Sequence, residues 1–360
     1  MQSQSLIRAV VDATALHHNL RQVRRAAPAS RVMAVIKANA YGHGMVPAAK
    51  ALAEADGFAV ARLGEGLALR AAGLANRILL LEGVFNAEQL AAAAQAQFEL
   101  MVHSVEQLEL LEALSGDAKV TAWIKVDSGM NRLGFRLEDF AAAHARLRSN
   151  VHVHGAPTLV THLASADDRR DPQTRRQLDA FEAATAGYGG ERSIANSAGI
   201  LAWPTAHADW VRPGLMLYGV SPFPSGTGAG LELRPAMTLC TEVIAVKDVK
   251  AGETVGYGGA WTAQRATRIA VVAAGYGDGY PRKAASGTPV LIGRRRAPLV
   301  GRVSMDMLTV DVTDLPPVAV GDPVELWGND IPVEEVAAHA QAIAWDLLCG
   351  VSQRVQLQFS

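Results

Sequence analysis

The feature that most constrains the fold is an alternation of short apolar runs with amphipathic helical patterns over roughly the first 220 residues. Runs this short and this continuously apolar are typical of parallel strands that are buried on both faces. The runs are Met33–Ile36, Gly57–Val60, Ile78–Leu81, Val120–Val126, Thr158–Val160 and Ser193–Ala195.

The helices between these runs have recognisable starts. Ser104 and Asn86 occupy positions that favour a helix N-cap, with Gln107 and Gln89 three residues later. The repeat of strand and helix indicates either a closed (β/α)8 barrel or an open, doubly wound sheet. Eight units fit the available length better, so we predict a (β/α)8 TIM-type barrel and keep the open sheet as the alternative.

The pattern changes after a segment rich in Pro, Gly and Ser at 221–228, which is typical of a linker. We therefore predict a barrel domain over 1–228 and a mostly-β domain over 229–360, with the first few residues free to pair with the second domain. In the second domain only Val333–Cys349 has a helical pattern. The predicted strands are Glu242–Val246, Arg268–Val272, Pro289–Ile292, Leu299–Val303, Met307–Val312 and Val324–Trp327.

Composition narrows the class of partner. Lys and Arg total 34 against 35 Asp and Glu, so no net field attracts nucleic acid or an anionic membrane, and a small molecule is the expected partner. Cys240 and Cys349 are far apart and outside any CxxC spacing, so we interpret both as core residues. Residues 1–8 lack the pattern of a signal peptide and no run is long enough to span a bilayer, so a cytoplasmic location is expected.

Lys37 ends the first apolar run and precedes Asn39, Tyr41 and two glycines. In a barrel it lies at the carboxyl end of strand one, where barrel active sites are found. Apolar surroundings lower a lysine pKa and leave a neutral amine that condenses with an aldehyde. From this residue alone, however, a strand-end lysine that reaches solvent is the better interpretation.

The segment Ala34–Gly44 resembles the cofactor-lysine signature of the bacterial alanine racemases, which use pyridoxal 5′-phosphate (PLP). The similarity continues in family order through both predicted domains. The further segments are Val60–Glu65, Lys125–Gly134, Thr161–Asp167, Asn196–Ala198, Val211–Gly219, Gly256–Gly258, Gly275–Arg282 and Gly301–Asp306.

This resemblance implies a barrel followed by a β domain, and a head-to-tail homodimer in which each active site receives residues from the other subunit. It also implies cofactor contacts residue by residue. Lys37 holds PLP as a Schiff base, and Arg212 faces the pyridine nitrogen. The groups around the phosphate are Tyr41, Ser197 and the backbone N–H groups of Gly214 and Leu215, which suit an anion.

For the substrate, the resemblance implies that Arg132 and the other subunit's Met305 hold the carboxylate of alanine, and that Tyr276 and Met305 narrow the entrance. Racemisation removes a proton from one face of Cα and returns one to the opposite face, so two bases are needed. The resemblance makes Lys37 one base and Tyr257 of the other subunit the second, with His162 beside it. Taken alone, Tyr257 is better explained as an aromatic residue that covers the core at a β turn.

Arg212 has a mechanistic implication, because an arginine has a pKa above ~12 and donates a hydrogen bond without losing its proton. A pyridine ring held in this way stays unprotonated and is a weaker electron sink. Prompt return of the proton to Cα, and hence racemisation, is then favoured over transamination. Barrel-type relatives that decarboxylate amino acids usually have an acidic residue at this position.

Two positions need separate comment. Lys125 matches a position that several family members carbamylate to orient the arginine, with an ordinary strand lysine as the alternative. Trp345 stands where the family usually has a tyrosine whose hydroxyl reaches the phosphate. A tryptophan has an N–H donor but no hydroxyl, which predicts weaker PLP retention, with simple core packing as the alternative.

The predicted activity is the interconversion of L-alanine and D-alanine. No histidine has a ligand spacing that indicates a metal site, and His43 belongs to the lysine loop in a structural or a catalytic role. The alternatives are a broader amino-acid racemase, a barrel-type decarboxylase and a non-catalytic PLP carrier, although carriers lack a β domain. Use of D-alanine in cell-wall synthesis and catabolism of alanine both remain open.

Overall fold

The computed structural model describes residues 6–360. The prediction that no signal peptide is present depends in part on residues 1–5, which lie outside the described residues. Among residues 6–360, no helix is both long enough and apolar enough to cross a membrane.

The first domain is a closed barrel of eight parallel strands in which each strand pairs with the next and the last pairs with the first. The predicted barrel is therefore confirmed, and the open doubly wound sheet is wrong. A short strand, β1 (Arg8–Val11), precedes the barrel. The barrel strands are β2 (Arg31–Val35), β3 (Gly57–Val60), β4 (Ile78–Leu80), β5 (Glu99–Val102), β6 (Thr121–Lys125), β7 (Thr158–Val160), β8 (Arg192–Ser193) and β9 (Trp210–Val211).

Two of these strands have no counterpart among the predicted apolar runs. β5 begins with a charged residue, Glu99, which interrupts the apolar pattern although its side chain is buried. β9 contains only two residues and follows a loop, so it has no periodicity to detect. The other six runs coincide with β2, β3, β4, β6, β7 and β8 to within a few residues.

The barrel helices surround the strands, and several of their starts follow local capping chemistry. Asp12 Oδ1 accepts the backbone N–H groups of Thr14 and Ala15 at 2.7 and 3.2 Å, and Asn86 accepts that of Gln89 at 2.8 Å. Ser104 precedes a helix as predicted, but its side chain makes no capping hydrogen bond. The helices are α1 (Ala13–Ala26), α2 (Lys37–Tyr41), α3 (Met45–Ala51), α4 (Leu63–Ala71), α5 (Ala87–Gln95), α6 (Val105–Glu112), α7 (Phe140–Ser149), α8 (Gln173–Thr185) and α9 (Ser197–Ala202).

The second domain is mostly β, as predicted. The long strand β10 pairs with β1, β13 and β17, and β1 also pairs with the last strand, so the first described strand belongs to this sheet. The strands are β10 (Met237–Val249), β11 (Thr254–Val255), β12 (Trp261–Thr262), β13 (Thr267–Val272), β14 (Pro289–Ile292), β15 (Arg295–Pro298), β16 (Leu308–Asp311), β17 (Pro323–Trp327) and β18 (Gln356–Phe359).

Two expectations for this domain are wrong. The strand predicted over Leu299–Val303 is displaced, because a turn at Gly293 and Arg294 makes β15 the hairpin partner of β14. The single helical segment is divided into α10 (Val333–His339) and α11 (Ala344–Gly350). The division falls at Gln341, whose φ of 51° is incompatible with a continuous right-handed helix.

The predicted linker at 221–228 has no regular structure but is held against the second domain. The backbone N–H groups of Ser221 and Gly228 both donate to Glu334 Oε1 of α10, at 2.9 and 2.8 Å. The domain boundary placed at residue 228 stays a prediction.

The amino end of the barrel is closed by a cluster of charged and aromatic side chains, which we call the barrel plug: Arg31, Arg77, Glu99, Trp123, Glu191 and Trp210. Trp123 donates its indole N–H to Glu99 Oε2 at 2.6 Å, and Arg77 pairs with the same carboxylate. The Arg77 guanidinium also lies 4.7 Å from the ring centroid of Trp210. Because this end is filled, the accessible cavity is at the carboxyl ends of the strands.

Candidate active site

The cavity at the carboxyl end of the barrel has a volume of about 980 Å³. Side chains that follow several different barrel strands line it, as expected for the active end of a barrel. Ten of the residues predicted from the sequence line it: Lys37, Tyr41, Lys125, Arg132, His162, Ser197, Arg212, Gly214, Leu215 and Trp345.

Lys37 follows β2 and begins a turn of unusual handedness. Four consecutive residues, Ala38 to Tyr41, have φ between 52° and 55°, and none of them is glycine. A left-handed conformation costs an L-residue roughly 1–2 kcal/mol, so neighbouring groups must hold this turn. Burial lowers the pKa of Lys37, and the positive charge of Arg132 lowers it further.

His43 supports this turn from inside the protein. Its ring is fully buried, stacks on Tyr218 with centroids 4.5 Å apart, and does not line the cavity. Nδ1 lies 3.0 and 2.9 Å from the carbonyl oxygens of Ala40 and Tyr41. Burial lowers the pKa of His43 to about 4, so the ring is neutral and Nδ1 donates to these carbonyls. This geometry favours the structural interpretation of His43.

Tyr41, Ser197 and Gly214 form a cluster that we call the anion cradle. Ser197 Oγ accepts the backbone N–H groups of Gly214 and Met216 at 2.9 and 3.3 Å. A Cβ atom on residue 214 would lie 2.5 Å from the Tyr41 hydroxyl oxygen, so only glycine fits. Burial raises the pKa of Tyr41, and its hydroxyl therefore stays protonated as a donor. The Gly214 N–H already donates to Ser197 Oγ, and the Tyr41 and Ser197 hydroxyl groups are two donors available to the cavity.

Arg212 forms part of the inner cavity wall, is buried, and is held by four acceptors. Its Nη1 donates to Ser193 Oγ at 2.6 Å, and its Nη2 contacts the Thr161 and Ile194 carbonyl oxygens at 2.7 and 3.2 Å. Burial lowers the pKa of Arg212 to about 10, so the guanidinium stays charged at neutral pH.

His162 receives the fourth of these contacts, since Arg212 Nη2 lies 3.2 Å from His162 Nδ1. A guanidinium only donates, so Nδ1 must accept and the ring proton is on Nε2. Burial, and then the charges of Arg212, Lys125 and other nearby cations, lower the pKa of His162 well below its ordinary value. The ring is therefore a neutral N–H donor.

Lys125 and Arg132 occupy the same wall of the cavity. Asp127 accepts the backbone N–H groups of Gly129 and Asn131, both at 3.0 Å, and so shapes the loop that carries Arg132. Lys125 is buried at the end of β6. Burial, followed by the charges of Arg212 and Arg132, lowers the pKa of Lys125 to about 8.

The sequence analysis missed a buried amide that joins two of these loops. Gln177 of α8 is fully buried. Its Nε2 donates to the His162 carbonyl oxygen at 2.9 Å and contacts Ser128 Oγ at 3.4 Å, and its Oε1 accepts the Ala164 N–H at 2.8 Å. A glutamine on the inner face of an amphipathic helix was the one available signal.

Cys349 was wrongly interpreted as a core residue. It is exposed at the end of α11 and lines the cavity, while Cys240 is only partly buried. The interpretation depended only on the absence of a CxxC spacing, which carries no information on burial, and the helical turn directs residue 349 away from the buried Leu347 and Leu348. Trp345 of the same helix lines the cavity and is partly buried.

Three predicted residues are not brought to this cavity within one chain. Tyr257, Met305 and Tyr276 lie on the second domain with exposed fractions of 69%, 51% and 39%. Backbone hydrogen bonds join the last two segments, from Gly277 N–H to the Met305 carbonyl oxygen at 2.8 Å and from Tyr276 N–H to that of Ser304 at 3.0 Å.

The fold and cavity together define a (β/α)8-barrel enzyme whose active end combines a strand-end lysine of lowered pKa with an anion cradle and several cations. The sequence profile "Alanine racemase, N-terminal domain" matches residues 11–222, and "Alanine racemase, C-terminal domain" matches residues 236–359. The chain therefore belongs to the alanine racemase family, and it is an isomerase.

Relatives agree over almost the whole length. The alanine racemase of Shewanella amazonensis is 49% identical over 354 residues, which cover 97% of each chain, and that of Nitrosococcus oceani is 51% identical over 96% of this chain and 97% of its own. The crystal structure of biosynthetic alanine racemase from Pseudomonas aeruginosa is similar with a TM-score of 0.95 and 48% identity, over 98% of this chain and 99% of that one. That of alanine racemase from Bartonella henselae with covalently bound pyridoxal phosphate has a TM-score of 0.89 and 31% identity, over 98% and 99%.

Proposed function

We propose that this enzyme interconverts L-alanine and D-alanine with PLP as cofactor, using Lys37 and Tyr257 of the other subunit as two opposed bases. The observation that carries the proposal is the position of Lys37. Its amine, with a lowered pKa, shares one cavity with the anion cradle and with Arg212. Alanine is proposed as the substrate because the relatives are named alanine racemases.

The residues present fit the cofactor. The space beside Gly214, which a Cβ atom would fill, and the protonated Tyr41 hydroxyl suit a phosphate group. Lys37 supplies the amine that attaches to an aldehyde, Arg212 the donor for a ring nitrogen, and Leu215 and Trp345 further cavity wall. When bound, PLP withdraws electron density from the substrate Cα and acidifies its proton.

The chain's own residues then bind alanine and move the proton. Arg132 is available to bind the substrate carboxylate, with Met305 of the other subunit beside it. Tyr276, which lies on the same subunit as that Met305, narrows the entrance. Lys37 exchanges the proton on one face and Tyr257 on the other. His162 is neutral with its proton on Nε2, so it can donate to the Tyr257 oxygen and favour the phenolate.

Lys125 is a candidate for carbamylation. Its pKa of about 8 leaves a useful fraction of neutral amine at neutral pH, and that amine attacks CO2 to form a carbamate with release of one proton. The new negative charge would relieve repulsion with Arg132 and Arg212 and orient the Arg132 guanidinium.

The test of the activity is cofactor uptake followed by chiral chromatography of L-alanine, L-lysine and L-serine incubated with the protein. We expect visible absorbance from lysine-bound cofactor and loss of enantiomeric excess for alanine. Lys37→Ala should abolish both. Cofactor colour without racemisation of any of the three substrates would refute the proposal. Racemisation of all three would favour a broader racemase, and release of CO2 would favour a decarboxylase.

The shared site has its own test, because we propose a homodimer in which Tyr257 acts in the other subunit. Lys37→Ala and Tyr257→Phe are each expected to be inactive. After subunit exchange, half of the dimers are hybrids, and each hybrid has one intact site. The mixture should recover about a quarter of wild-type activity. If both residues act within one chain, or if the protein stays monomeric in sedimentation, no activity will return.

A further inference from the structure

The segment Val60–Glu65 was singled out in the sequence, but no step of the proposed function uses it. Glu65 is the third residue of α4 and is partly buried beside the cavity. Its Oε2 accepts the backbone N–H groups of Ala61 and Arg62 at 2.7 and 3.1 Å. This half of the contact set is an ordinary capping arrangement at a helix start.

The other half is not part of helix capping. Glu65 Oε1 accepts the backbone N–H of Ala38 at 2.8 Å, and Ala38 is the residue directly after Lys37. One carboxylate therefore links the loop after β3 to the first residue of the left-handed turn. Each of its oxygens is already an acceptor, so the bridge needs a carboxylate in particular.

The turn needs such support. Four left-handed residues without glycine store strain that only surrounding contacts can offset. Further along the turn His43 contacts two carbonyl oxygens, and Asn39 Oδ1 accepts the Met45 N–H at 2.8 Å. At the start of the turn, Glu65 supplies the side-chain acceptor for Ala38.

We infer that Glu65 is a positioning residue, which holds the turn after Lys37 in its left-handed form and so aims the Lys37 amine into the cavity. The inference rests on the proposed function for its purpose, although the contacts stand independently. Glu65 touches neither reacting atoms nor the anion cradle. A second effect comes from its charge, because the carboxylate raises the pKa of Lys37 against the opposing effect of burial.

The discriminating variant is Glu65→Gln. A glutamine has one carbonyl oxygen, and its NH2 group would face a backbone N–H, so it cannot accept on both sides. Glu65→Asp keeps the charge but is one methylene shorter. Asp12→Ala is the matched control, since Asp12 caps α1 by accepting two backbone N–H groups and does not line the cavity.

Two measurements are made on the full chain freed of cofactor. Competitive acetylation followed by peptide mass spectrometry gives the pH midpoint of Lys37 reactivity, and stopped-flow absorbance gives the rate of PLP attachment. For Glu65→Gln we expect a lower pH midpoint and attachment about tenfold slower, as for loss of one charge-assisted hydrogen bond. Glu65→Asp should restore the midpoint but only part of the rate, and Asp12→Ala should alter neither.

If Glu65→Gln has the wild-type pH midpoint of Lys37 reactivity and the wild-type rate of PLP attachment, the inference is overturned. Glu65 is then only a helix cap, even if the variant unfolds at a lower temperature. Failure of the proposed function has a different signature. In that case the wild-type chain would take up no PLP, while the acetylation midpoint would still report the link between Glu65 and Lys37.

Discussion

At the scale of single residues, this site is dominated by cations that burial makes less basic. Lys37, Lys125 and Arg212 all have lowered pKa values, and His162 is kept neutral beside them. Clustered positive charge in a partly desolvated cavity is costly unless an anion enters. The energetic cost of this arrangement is consistent with a site that binds phosphate and carboxylate groups.

Lys125 gives a pH-dependent prediction. Its pKa is about 8 in the folded protein against ~10.4 for an unfolded lysine. Below about pH 8 Lys125 is protonated in both the folded and the unfolded state, and burial of this charge destabilises the fold. The penalty decreases as the pH rises from about 8 to ~10.4, because the folded state loses the proton first. In buffer free of CO2, Lys125→Met should therefore be more stable than wild type at pH 7 by roughly 2–3 kcal/mol, with a smaller difference near pH 10.

Urea unfolding at the two pH values checks this, with Lys119→Met as the control because Lys119 is exposed just before β6. A difference that does not change with pH would contradict the assignment. In buffer containing CO2, intact-mass analysis should detect the carbamate, and an unmodified mass would exclude carbamylation.

At the scale of elements, the loops after β6 and β7 are coupled through α8. Gln177 bonds to Ser128 in the first loop and to His162 and Ala164 in the second. A fully buried amide is tolerated only when its groups are paired, so these bonds explain why a glutamine occupies the inner face of this helix.

We expect Gln177→Leu to lower the free energy of unfolding by roughly 2–4 kcal/mol, since it leaves the His162 carbonyl and the Ala164 N–H unpaired. It should also raise the KM for alanine, because the loop that carries Arg132 loses its hydrogen bond to Gln177. Gln22→Leu is the matched control, on the partly exposed side of α1. Equal losses of stability in the two variants would contradict the coupling.

Sequence patterns predicted many elements but not the backbone that aims Lys37. The apolar run before Lys37 predicted β2, and the polar starts at Asn86 predicted α5. The left-handed turn had no signal, because none of its four residues is glycine. Two side chains outside the turn hold that conformation. Glu65 is distant in sequence and contacts Ala38, and His43 follows the turn and folds back onto its carbonyl oxygens.

At the scale of the whole molecule, the barrel is closed at one end and open at the other. The barrel plug fills the amino end. Tyr257 and Met305 are exposed on the second domain and do not line the barrel cavity of the same chain. This division separates stability at the amino end from chemistry at the carboxyl end.

Glu99→Ala tests the separation. Removal of this carboxylate leaves Arg77 and the Trp123 N–H without their partner and should lower the free energy of unfolding by roughly 3–5 kcal/mol. The kcat of the folded fraction should stay unchanged. Calorimetry checks the loss of stability and steady-state kinetics check kcat. The control is Glu112→Ala, which breaks an exposed ion pair with Arg146 and should lower the free energy of unfolding by about 1 kcal/mol or less. A large fall in kcat would show that the two ends are coupled.

The sequence by itself determined the fold class, the division into barrel and β domain, and the membership of the family, because strand and helix periodicity and motif order are local properties. Only the tertiary structure decided which side chains meet. It placed Glu99 in a buried strand, exposed Cys349 to the cavity, and bonded Glu65 to the residue after Lys37. These outcomes depend on contacts between segments that are distant in sequence, and such contacts outweigh the local preference of any single residue.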